Sequence, residues 1–114
     1  MSHIVDFNRH RPPCLTVPLR DEAETVLRVV PPTVELQEEL RARQSELHAL
    51  LSQESDEMRE ALYDLAARLM SCNRNMRKVT GEQLRTTYGL DEEDLVVFFR
   101  CYADFLVDIE HAKN

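Results

Sequence analysis

Residues 79–114 read VTGEQLRTTYGLDEEDLVVFFRCYADFLVDIEHAKN, and this stretch carries the clearest structural instructions in the chain. Thr80 followed three residues later by Gln83 forms a capping box, and Val79 and Leu84 stand where a hydrophobic staple packs. Gly89 closes that short helix. Leu90 and Leu95 then bracket a second start at Asp91, and Glu92, Glu93 and Asp94 load its first turn with negative charge that suits the helix dipole. Leu95, Phe99, Tyr102, Leu106 and Ile109 recur at steps of 4, 3, 4 and 3, with Phe98, Cys101 and Phe105 widening the face. The spacing predicts helices over 81–88 and 92–112, the second as the central core helix.

The same periodicity extends towards the N-terminus. Met58, Leu62, Leu65, Leu69, Cys72 and Met76 form a continuous seam that predicts a helix over 56–76, with Ala61 and Ala66 inviting close approach of a neighbour. Before it, Leu36, Leu40, Leu47, Leu50 and Leu51 predict a helix over 34–53 with Thr33 as its N-cap. Arg43 and Gln44 interrupt its stripe. Two β-branched runs, Leu15 to Leu19 and Thr25 to Val30, predict a hairpin over 14–30 that ends at Pro31 and Pro32. Pro18 has no N–H to give a ladder, which makes its run an edge strand or an irregular extension. Residues 1–13 lack periodicity and are expected to be an irregular arm. The expected fold is mainly α: a short N-terminal β-hairpin or extended segment, then a bundle of about four helices, forming one helical domain over 14–114.

Composition narrows the function classes. With 43% hydrophobic and 31% charged residues the chain is too apolar for disorder, and two glycines are too few for a barrel, a sandwich or a phosphate-cradling loop. Its apolar runs fall short of the roughly 20 residues that a membrane span needs, and its first ten residues do not read as a secretory signal, so a cytoplasmic protein is expected. The net charge of −7 alternates along the chain, with basic character at 61–90 and acidic character on both sides of it. An acidic chain repels phosphate backbones, which disfavours nucleic acid as a partner.

No catalytic site emerges. Cys14, Cys72 and Cys101 lack C-x-x-C spacing and are expected to be buried free thiols, Cys72 and Cys101 as small core residues. His3, His10, His48 and His111 fit no compact tetrahedral metal site, even with Cys14, and no cofactor is expected. Asp91 to Asp94 serve helix capping better than calcium binding. The basic residues Arg74, Arg77, Lys78 and Arg85 form a candidate patch near a helix junction, but without aromatic stacking partners. Met58, Met70 and Met76 fill a core or line an adaptable groove. The candidate partner surface is therefore apolar: Leu36, Leu40, Leu47, Leu50, Leu51 and Met58, together with the edge of the hairpin.

The order of these parts, and above all the quoted segment, resembles the tail assembly chaperones of long-tailed, siphovirus-like bacteriophages. The similarity covers residues 15–114 and consists of a short helix, a glycine, an acidic helix start, an aromatic-rich last helix and the terminal Lys113 and Asn114. It is a loose pattern without a chemical motif. The resemblance implies a non-enzymatic role in virion morphogenesis within the host bacterial cytoplasm. Such a chaperone binds tape-measure protein, tail-tube protein or both, keeps them soluble before the tail polymerises, and is absent from the mature virion. It also implies possible self-association as a homo-oligomer. Two other classes remain open: a small helical regulatory adaptor, antitoxin-like or anti-sigma-like, that masks one protein partner, and a nucleic-acid-binding regulator that uses the basic residues.

Overall fold

The computed structural model of the chain describes residues 13–21, 23–53 and 55–112, without the side chains of residues 47, 50, 51 and 112. The expected arm, apart from Pro13, lies outside the described residues, as do Lys113 and Asn114. The fold is mainly helical behind a short antiparallel hairpin. The elements are β1 (Leu15–Pro18), β2 (Val26–Val29), α1 (Val34–Ala42), α2 (Gln44–Leu51), α3 (Asp56–Met70), α4 (Gly81–Thr86) and α5 (Glu92–Ala112).

The hairpin pairs Leu15 with Val29, Thr16 with Arg28, Val17 with Leu27 and Pro18 with Val26. Alternation sends Leu27 and Val29 fully into the core and Leu15 and Val17 part of the way, while Thr16, Pro18, Val26 and Arg28 face out. Between the strands, the Asp21 carboxylate accepts from the Thr25 N–H at 2.7 Å and from the Thr25 hydroxyl at 2.5 Å. These bonds hold the Asp21 carboxyl below its usual range. Glu24 beside them has φ of +51°, the left-handed backbone that a tight reversal demands.

Sequence and structure part company at three helix boundaries. The helix expected over 34–53 is two helices, broken at Arg43, whose φ and ψ are −97° and 10°. Leu40 and Leu47 are two turns apart, and the polar Arg43 and Gln44 between them give the chain nothing apolar to press against α3. The helix expected over 56–76 ends at Met70. There the buried Asn73 amide donates to the carbonyls of Met70 and Arg77, at 2.7 and 2.6 Å, and its oxygen accepts from the Arg77 N–H at 3.1 Å. Cys72 and Met76 therefore leave the seam, and Met76, with φ of +56°, is 92% exposed. The helix expected over 81–88 ends at Thr86. The helix over 92–112 runs as predicted.

Predicted caps are present. Thr33 accepts from the Leu36 N–H, and Thr80 and Gln83 exchange side-chain bonds with each other's backbone N–H at 3.0 and 3.1 Å. Asp91 and Asp94 do the same at 2.8 and 2.9 Å. Ser55 caps α3 through the Met58 N–H.

The centre of the packing is α3, which touches α2, α4, α5 and β2. This corrects the expectation for α5. The face that α3 buries is Tyr63, Ala66, Ala67, Leu69 and Met70, with Leu62, Leu65 and Met58 half-buried at its margin. Alanines at the contact let neighbours come close, and Gly81 at the start of α4 comes closest: a Cβ there would lie 3.2 Å from the α3 backbone and 2.7 Å from Asp64 Oδ1. The other glycine, Gly89, has φ of +61° and reverses the chain between α4 and α5. The Tyr63 hydroxyl donates to the Leu90 carbonyl at 2.5 Å and ties that reversal to α3. Among the described residues no helix is long and apolar enough to cross a membrane.

Candidate protein-binding surface

The two edges of the hairpin are treated differently. Leu19 N–H bonds to the Thr25 carbonyl at 2.7 Å, which makes Val17–Leu27 and Leu15–Val29 the pairs whose N–H groups point between the strands. Arg28 and Val30 consequently point theirs to the far side of β2. That side is filled: Arg28 N–H donates to Asn75 Oδ1 at 2.8 Å, Arg28 O accepts from Arg74 N–H at 2.9 Å, and Val30 N–H donates to Cys72 O at 2.8 Å. The segment after α3 thus acts as a third strip along β2, with Val29 facing Asn73. Arg28's partner on β1 is Thr16, so by the same alternation Thr16 turns its N–H and carbonyl away from the hairpin. Pro18, two residues on, occupies the position whose N–H would also face out, so the ladder loses nothing by the proline. Among the described residues no strand pairs with the outer edge of β1.

Beside that edge lies α5. Arg20, just beyond β1, makes two bonds of 2.8 and 3.0 Å to the Asp94 carboxylate in the first turn of α5. The Asp91 N–H, and then Arg20, hold the Asp94 carboxyl below its ordinary range. Next to this ion pair, β1 and α5 enclose a cleft of about 230 Å³ lined chiefly by Leu15, Val17, Leu90, Val97, Phe98 and Cys101. Phe98 is buried, whereas Val97 is 57% exposed, and Val96 and Val107 on the same helix are 51% and 50% exposed. Val97 and Cys101, on one stripe of α5, therefore stand beside an outward strand edge, while Val96 and Val107 share a second exposed stripe about 100° around the helix.

The residues singled out from the sequence are distributed otherwise. Leu36 is buried and belongs to the core, which corrects its assignment to an open surface. Leu40 is half-buried and lines a mixed groove with Arg43, Glu57, Ala61, Leu65 and Arg68. Across that region Arg68 pairs with Glu39, and its guanidinium holds the Glu39 carboxyl below its usual range. Met58 is half-buried on α3. The side chains of Leu47, Leu50 and Leu51 lie outside the described residues.

The four basic side chains are divided. Arg74 serves the hairpin through its backbone N–H, with its buried Nε unpartnered among the described residues, and Arg77 by a 3.3 Å bond to the Thr25 hydroxyl, while Lys78 is exposed and Arg85 lies over the Tyr63 ring, 5.9 Å from its centroid. The cysteines are less covered than expected. Cys14 and Cys72 are half-buried, and Cys101 is exposed because it shares the outer stripe of α5 with Val97. Among the described residues no group of three His, Cys, Asp or Glu side chains could hold a metal ion.

A signal for the α5 face was present in Leu95–Val96–Val97–Phe98–Phe99. Five consecutive apolar residues span more than a full helical turn, so one contact face cannot bury them all. No protein-family model, curated protein or solved structure matches the chain.

Proposed function

We propose that the protein is a non-enzymatic tail assembly chaperone of a long-tailed bacteriophage. It acts in the host cytoplasm, where it binds tape-measure protein, tail-tube protein or both and keeps them soluble until the tube polymerises. Its partners are proteins, with neither nucleic acid nor a cofactor involved. The observation that supports this reading best is the set of exposed valines on α5, with Val97 beside the outer edge of β1. Subunits awaiting polymerisation present apolar helix faces and unpaired strand edges, and these aggregate unless something of like character covers them. The resemblance of residues 15–114 to such chaperones adds the biological setting.

Co-expression tests the proposal: each tape-measure or tail-tube candidate is produced with and without this chain, and the soluble fraction and co-purifying complex are measured. A rise in soluble tail protein together with a stable complex is the expected result. Unchanged solubility for every tail protein would reject it in favour of a small regulatory adaptor, whose partner a pull-down from the native host would then identify.

A further inference from the structure

The cleft between β1 and α5 has a direction. The Arg20–Asp94 ion pair closes one end, and Pro18 beside it offers no N–H to an incoming chain. Away from that end, α5 continues along one face as Val97, Cys101, Asp104 and Asp108, at steps of 4, 3 and 4. The first two are apolar. The last two are exposed carboxylates that make no ion pair among the described residues. The facing wall is the outer edge of β1, where the Thr16 N–H and carbonyl point outward. Main-chain pairing groups and an apolar floor thus face each other in the cleft, and unpaired negative charge follows beyond it on the same stripe of α5.

We propose that this slot receives an extended segment of a partner protein, added to β1 as a further strand through Thr16, with an aliphatic side chain over Val97 and Cys101 and a lysine or arginine beside Asp104 and Asp108. An added strand satisfies the outward main-chain groups and gives affinity, while the pocket for alternate side chains gives selectivity. Helical rise places Asp104 about 10 Å and Asp108 about 16 Å beyond Val97 along the axis. At about 3.3 Å per residue in a strand, the cation belongs roughly three to five residues from the aliphatic anchor. A second copy of this chain fits less well, because the face it would bring is itself acidic. This inference rests on the reading that the α5 face holds other proteins, and it specifies the class of segment held.

The test uses the full chain and three synthetic peptides: alternating valines followed by two lysines, the same peptide ending in two glutamates, and an amphipathic Ala/Leu/Lys helix former. Fluorescence anisotropy reads affinity, and NMR hydrogen exchange reads the Thr16 amide. The lysine-ended strand peptide should bind at least tenfold more tightly than either other peptide and should slow Thr16 exchange at least tenfold. Val97→Glu should weaken binding at least tenfold, and Asp104→Lys combined with Asp108→Lys should reverse the preference between lysine and glutamate. Thr16→Pro should weaken binding several-fold while the circular dichroism spectrum is retained, since that N–H takes no part in the hairpin. Absence of binding, preference for the helical peptide, or binding without Thr16 protection would each overturn the proposal. Binding that appears only after deletion of residues 2–12 would also overturn it, assigning the slot to the chain itself. Tail proteins that remain bound while Thr16 stays unprotected would reject the slot and keep the chaperone reading. A slot that takes the peptide in a chain that solubilises no tail protein would do the reverse.

Discussion

Helices α3 and α5 show how little apolar content alone says about position. The more apolar of the two is α5, which has 21 residues and two phenylalanines and a tyrosine in succession at 98, 99 and 102, yet it leaves Val96, Val97 and Val107 half or more exposed. The shorter α3 carries charge on its outer face and alanines on its inner one, and it contacts four other elements. The difference is one of shape. Ala66 and Ala67 allow backbones to close in around α3, whereas the bulky side chains of α5 are spread around more of its circumference than its neighbours can cover. A central helix needs a narrow, small-featured contact face, and a helix apolar on several sides has faces to spare.

Three substitution pairs and one single change would break or sharpen this contrast. The largest effect belongs to a core truncation on α3: Met70→Ala, at a side chain 1% exposed, should cost about 2 to 5 kcal/mol of unfolding free energy in urea. Phe105→Ala on the half-buried part of α5 should cost only about 1 kcal/mol, and equal losses would refute the hierarchy. Next comes overpacking. Ala66→Leu forces extra volume into a fully buried contact and should cost about 1 to 3 kcal/mol, while Ala103→Leu on the exposed side of α5 should be close to neutral.

The tyrosines give a finer comparison. Tyr63 on α3 has a hydrogen-bonded hydroxyl, and Tyr102 on α5 has a buried one without a partner. Tyr63→Phe should lose about 1 kcal/mol in thermal or urea unfolding, and Tyr102→Phe should lose nothing or gain. Burial raises the pKa of both phenols above the ordinary value. The folded state then holds each proton more tightly than the unfolded state, so the associated stability is intact below about pH 10 and declines as pH rises beyond it. Replacing both tyrosines should flatten that alkaline decline. The smallest expected stability change is for Val107→Ser, within about 0.5 kcal/mol, yet it should lower retention on a hydrophobic column and reduce the recovery of co-expressed tail protein.

Much of the fold could be read from local signals because those signals are themselves local physics. The capping box at Thr80, the acidic start at Asp91 and the edge strand that carries Pro18 each depend on side chains within a few residues, and each is where the sequence placed it. Tyr63 gives no such local signal: leucines and methionines set the regular spacing at its flank, while the buried face is turned towards the tyrosine and the alanines. For the candidate surface, the strand edge follows from the hairpin pattern, whereas the exposure of the α5 valines follows only once five consecutive apolar residues are set against the single face a helix can bury.

By itself, the sequence determined that this chain is mainly helical, where four of its five helices begin, and that Gly89 closes one of them. Capping, periodicity and charge at helix starts act over one or two turns, so they survive without knowledge of the rest. Only the tertiary structure decided where α3 ends, that the helix over 34–53 breaks at Arg43, and which apolar side chains stay outside. Those outcomes turn on competition between distant groups. Asn73 leaves the helical path where it pairs with the far edge of β2, and Val97 stays exposed because Phe98, one residue on and about 100° around the helix, is the one turned into the core.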